Sequence, residues 1–156
     1  MWKKIGHSIL IILPFVFMIL LFSQKDKLTN YLSDEMKSQS TSSAQKETRS
    51  HLDSIYNYKK NHQMYEITFL EFGAKNCVAC KKMEFVLDEV RKEYPGKVNV
   101  VFLNILQNQN QQFMRYYGVV AIPTQILLDK NGQEIYRHTG YISFTELRGK
   151  FTQFSK

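Results

Sequence analysis

The chain has 156 residues, and 21 Lys and Arg against 14 Asp and Glu give a formal charge of +7. Hydrophobic residues at 44% and charged residues at 22% exclude a wholly disordered chain and a multi-span membrane protein, and 7 Gly with 3 Pro exclude a collagen-like repeat. The 2 Cys exclude a disulfide-dense scaffold and a four-cysteine zinc site, and the length suits one domain with a tail.

Met1-Trp2-Lys3-Lys4 opens the chain, and an apolar run from Ile9 to Phe22 follows, broken by nothing more polar than Pro14. A basic segment ahead of such a run marks a secretory signal or a single membrane anchor. The strict run is shorter than the about 20 residues that span comfortably, and it nears that length only when extended from Ile5 to Ser23. Leu20-Leu21-Phe22-Ser23 has bulk where a cleavable signal needs small residues. An uncleaved anchor over residues 8–23 is therefore preferred to a cleaved signal, with residues 1–7 as a cytoplasmic tail. Lys3 and Lys4 favour the cytoplasmic side. Lys25 and Lys27 weaken that bias, but the bulk of the chain is still expected outside the cytoplasm, tethered to the cell membrane by a single pass. Residues 24–43 read as a flexible linker: Leu28, Tyr31, Leu32 and Met36 share a helical face, then Ser38 to Ser43 is a low-complexity tether.

The folded domain is expected over residues 44–156. Lys46 to His62 has helical spacing, and Tyr65 to Phe72 is β-rich, with Ile67, Phe69 and Glu71 on one face. Cys77 to Glu93 carries the stripe Met83, Val86, Leu87 and Val90 of a helix. Val98 to Ile105 is an apolar strand of the fully buried kind, and Asn108 to Tyr117 is a helix ending at Gly118. Gln125 to Asp129 and Glu134 to His138 form a hairpin around Asn131-Gly132. Ser143 and Glu146 are spaced as a capping box for a last helix with Leu147, Phe151 and Phe154 inward. The order α-β-α-β-α-β-β-α predicts an α/β fold: a mixed central sheet flanked by helices, preceded by the membrane anchor.

The basic residues are scattered in pairs such as Lys59-Lys60, Lys81-Lys82 and Arg91-Lys92, without interleaved aromatics or a nucleic-acid motif. A solvated surface near anionic headgroups is preferred to nucleic-acid binding.

Chemistry concentrates at Cys77-Val78-Ala79-Cys80. A disulfide there closes too short a loop to serve as a staple. At a helix N-terminus, unsatisfied N–H groups and the helix dipole favour the Cys77 thiolate, the form that attacks a disulfide. Cys80, one turn further in, then resolves the mixed disulfide. A metal site would need further ligands, and His51, His62 and His138 are not at metal-motif spacing from the cysteines. The redox reading is preferred to metal binding, and both to inert core thiols.

The domain resembles the thioredoxin family in Phe72-Gly73-Ala74-Lys75-Asn76-Cys77-Val78-Ala79-Cys80-Lys81, in Tyr117 to Thr124, in Lys130-Asn131-Gly132 and in Gly140. The resemblance implies a redox-active Cys77–Cys80 disulfide and a cis Ile122–Pro123 bond beside Cys77, in a loop that presents Ile122, Pro123 and Thr124 to an extended substrate. Asn76, where the family usually has Trp, completes that substrate-binding set. Glu71 takes the place of the family's buried acid and is expected to move the Cys80 proton, completing a catalytic set with the two cysteines. An exposed strand-end Glu is the plainer alternative. Other departures are Val78-Ala79 for Gly-Pro, Phe85 for a helix proline, and Phe102 where a lysine often partners the acid.

Oxidising members of the superfamily carry His between the cysteines, and Val78-Ala79 offers no such donor. Ile before the proline is what reducing members show. The resemblance therefore implies a protein-disulfide reductase acting on extracytoplasmic protein disulfides, with a membrane electron-donor protein as partner. Apocytochrome c or wrongly bonded extracytoplasmic proteins are the implied clients. A thiol oxidase or isomerase on the same fold, and a non-enzymatic dithiol metallochaperone or assembly factor, are the alternatives. No cofactor is expected, and the chain is expected to act as a monomer.

Overall fold

The computed structural model describes residues 13, 14, 16–19 and 24–154. The expected tail and most of the expected anchor lie outside the described residues. Among the described residues, no helix is long and apolar enough to cross a membrane.

Ten elements follow in order: α1 (Lys25–Ser38), α2 (Ser42–Tyr56), α3 (Tyr58–Asn61), β1 (Ile67–Gly73), α4 (Val78–Glu93), β2 (Val98–Asn104), α5 (Asn108–Tyr117), β3 (Thr124–Leu128), β4 (Glu134–Thr139) and α6 (Phe144–Phe154). The sheet order is β2-β1-β3-β4. β1 runs parallel to β2 and antiparallel to β3, and β3 runs antiparallel to β4, which gives the expected mixed sheet.

β1 is buried along its whole length because helices cover both of its faces. On one face Ile67 and Phe69 pack with Met83, Val86, Leu87 and Val90 of α4 and with Leu147 and Phe151 of α6. On the other, Leu70 and Phe72 pack with Leu52 and Tyr56 of α2 and Phe113 and Tyr117 of α5. Each such fully buried side chain contributes about 1.5–3 kcal/mol relative to exposure. The capping box forms: Ser143 Oγ and N donate to Glu146 Oε2 at 2.6 and 3.0 Å, and Glu146 N donates to Ser143 Oγ at 3.3 Å.

Two expectations change. β2 is only half-buried over most of its length, not fully buried, because it forms an edge of the sheet. Residues 24–43, expected as a flexible linker, hold α1 and the start of α2. The Ser/Thr run that reads as a tether ends one helix and starts another. Thr41 is the N-cap of α2, its hydroxyl accepting from Ala44 N at 3.3 Å. α1 is held to the domain by Ser33, which is buried and donates to Tyr117 O at 3.5 Å. Gly118 permits this approach: at its φ of +62°, an added Cβ would lie 2.4 Å from Ser33 O.

Candidate active site

The carboxyl ends of the parallel strands β1 and β2 and the start of β3 share one end of the sheet, since Gly73 pairs with Asn104 and Phe72 with Thr124. The loop from Ala74 to Asn76 leaves β1 at that end and turns into α4. Cys77 is the N-cap of α4, in extended backbone, and its Sγ accepts from Cys80 N at 3.2 Å. Cysteine here does what Ser or Asp does at an ordinary cap, so the sulfur sits on the N-terminal amides of a helix of 16 residues. The two cysteines are bonded to each other. Cys77 is half-exposed, whereas Cys80 is 2% exposed. An attacking thiol therefore meets Cys77 first.

Cys80 lies against Gly73 at the end of β1. A Cβ built on Gly73 would stand 3.4 Å from both Cβ and Sγ of Cys80 and 2.8 Å from Cε2 of Phe102. Two residues back on the same sheet face is Glu71, 0% exposed. The exposed strand-end alternative is set aside by that burial. Removal from water pushes its carboxyl up to about 8, and the neighbouring Gln125 amide tempers the rise. Phe102 and Gln125 are its cross-strand neighbours on β2 and β3. The Gln125 amide is near enough to temper the rise but, like every other protein group in the described residues, does not reach hydrogen-bond geometry with either carboxyl oxygen.

The Ile122–Pro123 bond is cis, as the resemblance implies. Ile122 is half-exposed, Pro123 is buried, and Asn76 is exposed beside Cys77. Thr124 is buried, and its hydroxyl donates to Ala121 O at 2.7 Å and pairs with Thr139 Oγ1 at 3.1 Å. Its side chain thus secures the loop from within, leaving Ile122 and Asn76 as the outward members of the set. Gly140, at φ +107°, donates its N–H to Pro123 O at 2.8 Å and ties the loop to the end of β4. Val78, between the cysteines, is 75% exposed and offers an apolar contact next to Cys77.

Among the described residues, no group of three or more His, Cys, Asp or Glu is placed to hold a metal ion. His51 packs on the Phe113 ring at 5.4 Å, and His138 Nε2 lies 3.2 Å from Tyr141 O. Two residues escaped the sequence reading as parts of the site. Gly73 was legible only as a motif glycine, and Gln125 only as a polar residue in an otherwise apolar strand, Ile126-Leu127-Leu128 following it.

A model of the thioredoxin-like domain matches residues 52–155, more than half of the chain. The thioredoxin of Haemophilus influenzae is 39% identical over 84 residues, covering 54% of this chain and 76% of that protein. The thioredoxin of Rickettsia felis is 42% identical over 65 residues, 42% of this chain and 59% of its own length. Among solved structures, the X-ray structure of Fasciola hepatica thioredoxin is similar with a TM-score of 0.52 and 26% identity, covering 60% of this chain and 86% of that one.

Proposed function

This chain belongs to the thioredoxin-like family, and we propose that it is a membrane-tethered thiol–disulfide oxidoreductase that reduces protein disulfides outside the cytoplasm. The observation that carries the chemistry is the asymmetry of the bonded pair: one half-exposed sulfur capping a helix, one buried sulfur behind it.

In the reduced form, the helix N-terminus and the Cys80 N–H stabilise the Cys77 thiolate. Its sulfur attacks one sulfur of a substrate disulfide, the S–S bond breaks, and the departing substrate thiolate takes a proton from water. Cys80, still a neutral thiol because it is buried, gives its proton towards Glu71 and attacks Cys77 Sγ. The mixed disulfide breaks, the second substrate thiolate is released and protonated, and Cys77–Cys80 is left bonded. Two electrons have passed to the substrate, so each turnover needs a dithiol donor to reduce the pair again.

The reducing direction rests on Val78-Ala79, which brings no thiolate-stabilising donor between the cysteines, and on Ile122 before the proline. The tether rests on Lys3 and Lys4 ahead of the apolar segment within residues 8–23. A dithiol kept in an oxidising compartment must be supplied with electrons, and a membrane protein is the natural donor for a tethered domain.

The direction is tested by equilibrating the full chain, in neutral detergent micelles, with graded thiol–disulfide buffers. A reduction potential below about −230 mV is expected for a reductase. A value above about −180 mV would make it an oxidase or isomerase instead.

A further inference from the structure

At one level of the sheet, four side chains stand in a row across the strands: Phe102 on β2, Glu71 on β1, Gln125 on β3 and His138 on β4. The two in the middle are polar and 0% exposed. All four of their terminal atoms, both Glu71 oxygens and the Gln125 oxygen and nitrogen, lack a hydrogen-bond partner among the described residues. Cross-strand neighbours have Cβ atoms about 4.5–5.5 Å apart, and the last torsion of each of these side chains is soft. The Gln125 amide is therefore within reach of the Glu71 carboxyl. Burial of a long amide in a layer of Phe69, Leu127, Met83 and Leu87 is otherwise costly, since Leu or Met would fill the same space.

We propose that Gln125 is the positioning residue for Glu71, its amide N–H turning to the ionised carboxylate and its carbonyl to the protonated acid, so that one side chain serves both protonation states. Gln is suited to this because it offers two donors and an acceptor on one rotatable group, whereas a lysine would serve only the charged form. The inference rests on the proposed role of Glu71 in taking the Cys80 proton. The other groups facing the carboxyl are few. α4 contributes Cys80, β2 contributes the Phe102 ring, and α6 contributes Leu147 and Phe151 to the same layer. On β4, beyond Gln125, His138 is half-exposed and turned to Tyr141 O.

The test uses the reduced full chain in detergent and an aromatic disulfide, 5,5′-dithiobis(2-nitrobenzoic acid), in stopped flow. The first thionitrobenzoate reports attack by Cys77, and the second reports resolution by Cys80. In Gln125→Leu, the first phase is expected to be unchanged, and the pH midpoint of the second to rise by about half a unit or more. Below that midpoint the second phase slows about threefold or more, because less Glu71 is ionised. Gln125→Met, which fills the volume without polar atoms, should behave like Gln125→Leu. In the parent chain, the Gln125 side-chain amide nitrogen signal should shift with the Glu71 carboxyl carbon signal at one midpoint, a readout that needs no variant to fold. An unmoved second phase in both variants, with Glu71→Gln still altering it, would overturn the role of Gln125 and leave that of Glu71 standing. If Glu71→Gln also leaves the second phase unmoved, the role of Glu71 fails and takes this inference with it. Amide and carboxyl signals that titrate apart would refute the pairing directly.

Discussion

Replacing Glu71 by Gln should stabilise the protein, and by an amount that depends on pH. The carboxyl is held at about 8 in the fold, against an ordinary 4.5. Below 4.5 the group is protonated in folded and unfolded chains alike and makes no difference. Between the two values the unfolded chain loses the proton while the folded chain keeps it, so stability falls with rising pH by about 1.4 kcal/mol per unit. Above about 8 both states are ionised, and the full penalty, about 5 kcal/mol, stands constant. At pH 7 most of it, about 3 kcal/mol, is already present. A whole domain is stable by only about 5–15 kcal/mol, so this one carboxyl is a major burden on the fold. The measurement is urea unfolding of the disulfide form, wild type and Glu71→Gln side by side, from pH 5 to pH 9. Taking the difference removes the titration of every other group. The gap should be small at pH 5, widen through pH 7 and level off above pH 8. A gap that is the same at all pH values would refute the reasoning, because it would mean that Glu71 titrates alike in both states.

Cys80→Ser should trap the substrate on Cys77 as a mixed disulfide detectable by mass spectrometry, while Cys77→Ser should trap none, because the remaining thiol is buried. Gly73→Ala should cost about 1–3 kcal/mol, since the added methyl meets the Phe102 ring at 2.8 Å. Phe102→Leu should recover part of that loss in the same unfolding assay, and no recovery would mean that the clash lies elsewhere. Gly118→Ala meets Ser33 O at a left-handed backbone position. Hydrogen exchange across residues 25–38 should speed up by tenfold or more while that of β1 stays close to wild type. Phe151→Ala should cost about 3–5 kcal/mol, read from the denaturant midpoint, because the ring is fully buried between Phe69 and Tyr94.

The chemistry-bearing part of the chain was legible because its signals are local. Cys77 to Cys80 sits at a strand-to-helix switch, and a helix start places the first sulfur on free N–H groups whatever the rest of the fold does. The Ser143–Glu146 box is equally local, and it forms as spaced. What escaped depends on contacts distant in sequence. Val98 to Leu103 is apolar enough for a central strand, but β2 lies at the edge, and nothing in its own residues records which strand pairs on its far side. The docking of α1 is not legible in its own residues, because a contact that holds it, Ser33 on Tyr117 O, depends on Gly118 more than eighty positions away. Gln125 is a polar residue in an otherwise apolar strand, and only the register places it opposite Glu71.

The two sulfurs need opposite environments, and the chain supplies them within one helical turn. Cys77 receives the helix amides and partial exposure, which favour a charged sulfur. Cys80 receives burial against Gly73, which favours a neutral one. In the proposed mechanism that division sets the order of events: the outer sulfur attacks first, and the inner one stays inert until a proton acceptor relieves it. Glu71 can accept that proton only if its own affinity lies near that of a thiol. An ordinary carboxylate at 4.5 would be too weak a base, whereas one at about 8 approaches the thiol's usual 8.5 or so. On the proposed role of Glu71, the same burial that weakens the fold brings acid and thiol into range of each other.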